Sequence, residues 1–208
     1  MNPFAPGYYN EHDLRDAGFR ALGRNVQISK NCTIIGIENI EIGNDVRVDS
    51  YCCITAAGQG WLKIGSFVHI GAYCFLTAGA GIHLNDFSGL SQGVRIYSRS
   101  NDYSGKHLTN PTVPEKYTGV TSGTVTLGRY VIIGSGSVIL PNITIGEGSA
   151  VGALSIVNRN LEPWGVYFGC PVKRLHSRSK QLLELEAELM SEIAQQGSSV
   201  NGTITPDH

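Results

Sequence analysis

From Leu127 to Val157 an aliphatic side chain returns at every sixth residue: Leu127, Ile133, Ile139, Ile145, Val151 and Val157. That period excludes both common elements, since an amphipathic helix repeats at three and four residues and a half-buried strand at two. With short insertions the same frame extends upstream through Leu22, Ile28, Ile34; Ile42, Val48, Ile54; Ile64, Ile70, Leu76; and Leu84, Leu90, Ile96. The insertions fall after every third hexad, so three hexads close one triangular coil. Each flat side is then a short strand that pairs with the coils above and below at ~4.8 Å, and about six coils make a prism on the order of 29 Å tall. No coil buries its own face, so the stack stabilises itself only as a whole.

Four positions after the aliphatic residue the side chain is small or β-branched. In the middle hexad of successive coils that position reads Cys32, Cys52, Cys74, Val94, Ser137 and Ser155, a column expected inside the prism. Three of the five cysteines are thereby read as buried space-fillers, and the absence of a CxxC pair argues against a disulfide framework or zinc knuckle. Glycine and Asn/Asp after the aliphatic residue suit tight corners.

Outside the repeat, "NEHDLRDAGF" reads as a short helix with Asn10 as N-cap and Gly18 as terminator. "SKQLLELEAELMSEIAQQG" carries Leu182, Leu185, Leu189 and Ile193 on one face, an amphipathic helix expected to end at Gly197 and to pack on the prism end or on a neighbouring subunit. The polar tail beyond it is expected to fray. The organisation is therefore a helical lead-in over 1–21, the repeat over 22–175 and a helix with tail over 176–208. One long segment, 97–124, interrupts the fourth coil; it holds Asp102, His107, Tyr103 and two prolines, and loops of that length in compact domains are usually functional or disordered.

A formal net charge of −1 gives no footprint for nucleic acid or an anionic membrane. No apolar run is long enough to cross a bilayer and no leader pattern opens the chain, so the expected location is the cytoplasm.

The hexads "IGSGSV", "IGEGSA" and "IGSFVH" resemble those of the hexapeptide-repeat acyltransferases. The resemblance covers roughly residues 22–175 and implies an all-β fold, a left-handed parallel β-helix of about six triangular coils, working as a homotrimer with active sites between subunits. It implies acetyl-CoA as acyl donor and a small sugar acceptor. Sugar-acetylating members carry a catalytic histidine just after the coil that precedes the long loop; here that slot holds Asn101, followed by Asp102. A further active-site asparagine of that family falls on Gly71. The catalytic candidates become His69, Asp102 and Asn101, with His83, Tyr103 and His107 toward the acceptor. No metal ligand set is expected.

The missing histidine favours an amine acceptor. A hydroxyl needs a positioned base, worth roughly 10²–10⁴ in rate, whereas a neutral amine attacks a thioester unaided. The reading is N-acetylation of a nucleotide-linked amino sugar for surface polysaccharide, with O-acetylation as the alternative and a zinc hydratase or non-catalytic prism as remote ones. For the donor, "PWGVYFGCPVKR" resembles the family's closing segment, which places Lys173 and Arg174 near the phosphate end of coenzyme A, with Arg159 at a matching position. The same resemblance puts Ser135 and Ala153 at the corners that hold the pantetheine arm.

Overall fold

The computed structural model describes residues 6–200, with side chains to Gln195. The aliphatic residues of the repeat align in three columns. Leu22, Ile42, Ile64, Leu84, Leu127 and Ile145 are in parallel register on the first face of the prism. Ile28, Val48, Ile70, Leu90, Ile133 and Val151 align on the second face. Ile34, Ile54, Leu76, Ile96, Ile139 and Val157 align on the third. These side chains point inward and form the core, with Ile70, Leu76, Leu84, Ile96, Leu127, Ile133 and Ile139 at 0% exposure. Truncation of such a residue to alanine typically removes 2–5 kcal/mol. Cys52, Cys74, Val94, Ser137 and Ser155 are buried in the column predicted for them, and Cys32 at its open end is half-buried.

The coil count is a correction. After six complete coils the chain starts a seventh: Leu161 bridges to Ile145, and strand Gly165–Phe168 continues the second face in parallel. Its spacing departs from six, which hid it from the repeat frame. Strand Lys173–Ser177 then turns back antiparallel against Gly165–Phe168 and closes that face as its last strand.

The corners also differ from expectation. The glycines directly after the aliphatic residues are there because of close approach. A Cβ on Gly43 would lie 2.7 Å from the carbonyl carbon of Gly65, and one on Gly134 would lie 2.4 Å from the amide nitrogen of Ala153. The left-handed residues sit elsewhere in each corner, and many are aromatic: Phe67, Phe87, Tyr130 and Trp164 at one corner, Tyr51 and Tyr73 at another. Bulky residues seldom adopt positive φ, so ring stacking along each corner offsets the conformational cost.

Helix α1, Glu11–Asp16, is capped by Asn10, whose side chain accepts from the Asp13 amide at 2.8 Å. Its Leu14 joins the prism core. The chain divides into two compact units, Met1–Ser177 and Arg178–His208. The second holds helix α2, Leu182–Val200, which runs past Gly197 where the sequence placed its end; helix interiors tolerate a glycine at about 1 kcal/mol. Leu185, Leu189 and Met190 of α2 are exposed. The tail predicted to fray lies, from Asn201 onward, outside the described residues.

Candidate functional site

The long interruption is built as a hairpin rooted in the prism. The third-face strand Arg95–Tyr97 ends at Ser98, fully buried, whose hydroxyl donates to the Thr77 carbonyl at 2.7 Å and accepts from the Ala80 amide at 2.9 Å. Arg99–Asn101 then leaves the prism and pairs antiparallel with Val120–Ser122. The returning Gly123 amide donates to Ser98 O at 3.0 Å, and Val125 resumes the first face. Arg99, Asn101, Asn110, Glu115 and Thr118 line a cavity of about 390 Å³ within this hairpin.

Beyond the root, Asp102 collects donors. It accepts from the Ser104 amide at 2.8 Å, the Ser104 hydroxyl at 2.9 Å, and the His107 amide and Nδ1, both at 3.1 Å. The Ser104 amide and hydroxyl, followed by His107, hold the Asp102 carboxyl well below the usual carboxylate range. Such a group is a poor proton acceptor. The ring of His107 packs on Gly119, where a Cβ would sit 2.5 Å from Nδ1. Donation of Nδ1–H to Asp102 leaves Nε2 as the ring nitrogen not engaged by the carboxylate. Tyr103, 92% exposed, and Asn101, also exposed, flank this pair.

His69 has different surroundings. It lies on the second face beside Arg47, and its Nε2 is 2.8 Å from Asp49 Oδ2 and 3.0 Å from Arg47 Nη2. Arg47 Nε also reaches Asp49 Oδ1 at 3.0 Å. The same imidazole nitrogen thus meets both a carboxylate and a guanidinium, which fixes the orientation of the ring. Arg47 and Asp49 escaped the sequence reading, although the repeat frame already sets Arg47 opposite His69. Among the described residues no hydrogen bond or ion pair joins the His69–Asp49 pair to the Asp102–His107 pair. His83 stands apart from both, on the first face between Lys63 and Thr126. Partial burial, then Lys63, lowers its pKa.

The corner between the second and third faces carries the donor candidates. The Ser135 hydroxyl donates to Gln92 Oε1 at 3.3 Å. Among the described residues, the corner amides of Ala72, Gln92, Ser135 and Ala153 have no protein acceptor. Exposed N–H groups in a row are free to bind a ligand carbonyl or an oxyanion. Higher up, Arg159 Nη2 donates to the Val172 carbonyl at 2.8 Å, which brings its guanidinium to the start of the strand that bears Lys173 and Arg174. All three basic side chains are exposed, a suitable set for phosphates. Among the described residues no group of three His, Cys, Asp or Glu could hold a metal ion.

No family model matches the sequence. Individual relatives do. The chain is 42% identical over 180 residues, 86% of its length and 93% of the relative's, to a dTDP-4-amino-4,6-dideoxy-D-glucose acyltransferase of Escherichia coli. An N-acyltransferase from Bacillus cereus, solved with dTDP and 3-hydroxybutyryl-CoA, superposes with a TM-score of 0.87 at 40% identity, covering 90% of this chain and 98% of that one. The chain belongs to the hexapeptide-repeat acyltransferases. A variant of the Bacillus cereus enzyme, solved with dTDP-4-amino-4,6-dideoxyglucose and coenzyme A, matches with a TM-score of 0.86 at 40% identity, over 89% of this chain and 98% of that one. The fold is thus the left-handed β-helix of that family, the protein is an acyltransferase, and its acyl carrier is coenzyme A.

Proposed function

We propose that this hexapeptide-repeat enzyme N-acylates a dTDP-linked 4-amino-4,6-dideoxy sugar from an acyl-CoA thioester. The observation that carries the reading is the 42% identity, over nearly the whole chain, to an enzyme of that acceptor class. The working form is a homotrimer with active sites between subunits, located in the cytoplasm and supplying a sugar for surface polysaccharide. No described helix is long and apolar enough to cross a membrane.

The sugar amine attacks the thioester carbonyl carbon, the C–S bond breaks, and coenzyme A leaves as thiolate. The row of unpaired corner amides around Ser135 supports a role in holding the developing oxyanion and the pantetheine arm. Arg159, Lys173 and Arg174 hold the phosphate end. The proton lost from nitrogen passes to His107 Nε2, with Asp102 as the group that orients the ring; the geometry supports this division over Asp102 as acceptor. His69, clamped by Arg47 and Asp49, serves to orient the acceptor rather than to take its proton.

The test is turnover. Purified protein is supplied with dTDP-4-amino-4,6-dideoxyglucose and either acetyl-CoA or 3-hydroxybutyryl-CoA, and free thiol is followed. Release with the amino sugar and none with its 4-hydroxy counterpart is the expected result. Acylation of the hydroxyl sugar alone would reject the reading.

A further inference from the structure

Two tyrosines on the prism stack on each other and yet stay largely exposed. Tyr51 and Tyr73 occupy left-handed positions at the corner between the second and third faces, 54% and 62% exposed, with rings stacked at 5.2 Å and 12°. Their corner column continues upward through Gly93, Gly136 and Leu154; Tyr73, Gly93, Gly136 and Leu154 each donate an amide to the coil below, to Ser50, Ala72, Gln92 and Ser135. The aromatic stack therefore stops at the coil where the side chain vanishes. A Cβ on Gly93 would meet nothing closer than the Gly136 amide at 3.8 Å.

The other aromatic corner has the same interruption and fills it. There Phe67, Phe87, Tyr130 and Trp164 stack in sequence, and the glycine in that column, Gly148, is covered by the Trp164 ring, 2.4 Å from where its Cβ would be. Gly93 has no such cover. It leaves a gap one coil high, about 4.8 Å, over the outer face of Tyr73. Beside the gap Arg95 projects from the third face; it is exposed and has no acidic partner among the described residues. Tyr51, Tyr73, Phe75, Tyr97 and Arg95 together line a concave surface of about 340 Å³.

We propose that the gap at Gly93 seats the planar base of the acceptor's nucleotide, stacked on Tyr73 as the third member of the Tyr51–Tyr73 ladder, with Arg95 on the diphosphate. An aromatic face paired with an unneutralised arginine fits a nucleoside diphosphate. This assignment rests on the nucleotide-sugar reading above and names the residues that would read the nucleotide.

Binding of dTDP and of coenzyme A to the intact protein separates the two readings. Wild type binds both, each measured by calorimetry. Tyr73→Ala should weaken dTDP about tenfold or more and leave coenzyme A within twofold. Tyr73→Phe should retain dTDP, because stacking does not use the hydroxyl. Gly93→Asn, a residue that tolerates positive φ, should block dTDP by filling the gap, and Arg95→Gln should weaken dTDP with a shallower dependence on salt. Circular dichroism and solution mass of each variant must match wild type. Tyr73→Ala binding dTDP as tightly as wild type overturns this proposal and leaves the enzyme assignment standing. Loss of coenzyme A instead of dTDP overturns it in favour of the pantetheine arm, and a fall in solution mass overturns it in favour of a subunit contact. Wild type that binds no dTDP overturns both readings.

Discussion

Two corners of one prism, built by the same repeat, end up chemically opposite. At the corner between the first and second faces the aromatic ladder is continuous from Phe67 to Trp164, and in the lower coils three backbone amides are capped from the next coil: Arg24 by Asn44, Asn44 by Ser66, Ser66 by Asp86. At the corner between the second and third faces the ladder stops at Tyr73, and the equivalent amides of Ala72, Gln92, Ser135 and Ala153 have no protein acceptor. The first corner is closed by its own rings along the ladder and by its own side chains in the lower coils. The second presents unpaired donors and an open stack, the features on which the two proposed ligand sites rest. The hairpin with Asp102 and His107 leaves from the far edge of the third face, so the open corner and the hairpin bound the same face.

This contrast divides stability from chemistry and can be broken at several points. The largest expected effect is on the hairpin. His107→Gln should lower kcat about a hundredfold with KM nearly unchanged and no loss of melting temperature; steady-state kinetics with equal turnover in the variant would remove His107 from proton transfer. At the closed corner, Phe87→Ala should cost about 2 kcal/mol in chemical denaturation while dTDP and coenzyme A bind as before. The same substitution at the open corner, Tyr73→Ala, should change stability by less than about 0.5 kcal/mol. Equal destabilisation at both corners would abolish the distinction drawn between them.

Asp102→Asn sharpens the division of labour within the hairpin. An amide cannot serve all of the donors that the carboxylate holds, so kcat should fall about tenfold, less than for His107→Gln; a larger fall for Asp102 would reverse the two roles. The smallest effect belongs to the first face. His83 has a folded-state pKa below its unfolded value, near 6.5, because of partial burial and then Lys63. The unfolded chain therefore binds the proton more readily, so its contribution is complete above about pH 6.5 and is lost as pH falls. His83→Gln should flatten the stability profile below that pH, measured by denaturation at pH 5.5 and 7.5, and leave turnover intact.

The columns of the core were legible because a six-residue period turns each named aliphatic residue to the inside of a triangular coil, whereas large buried side chains two residues earlier, such as Val46, Leu62, Ile82 and Val125, lay outside the frame. The seventh coil and the end of α2 were not legible, since each depends on contacts or context that override spacing. Among site residues, His69 was visible as a residue but its clamp by Arg47 and Asp49 needed neighbouring coils in register. The Asp102–His107 pair was invisible because the hairpin that joins its members has no period.

The sequence by itself determined a three-sided column and which side chains fill it, because burial of regularly spaced aliphatic groups depends only on spacing. The tertiary structure decided which corner is closed and which is open. That outcome turns on whether a ring from a different coil covers a missing side chain, as Trp164 covers Gly148 and nothing covers Gly93, and such contacts exist only once the coils are stacked.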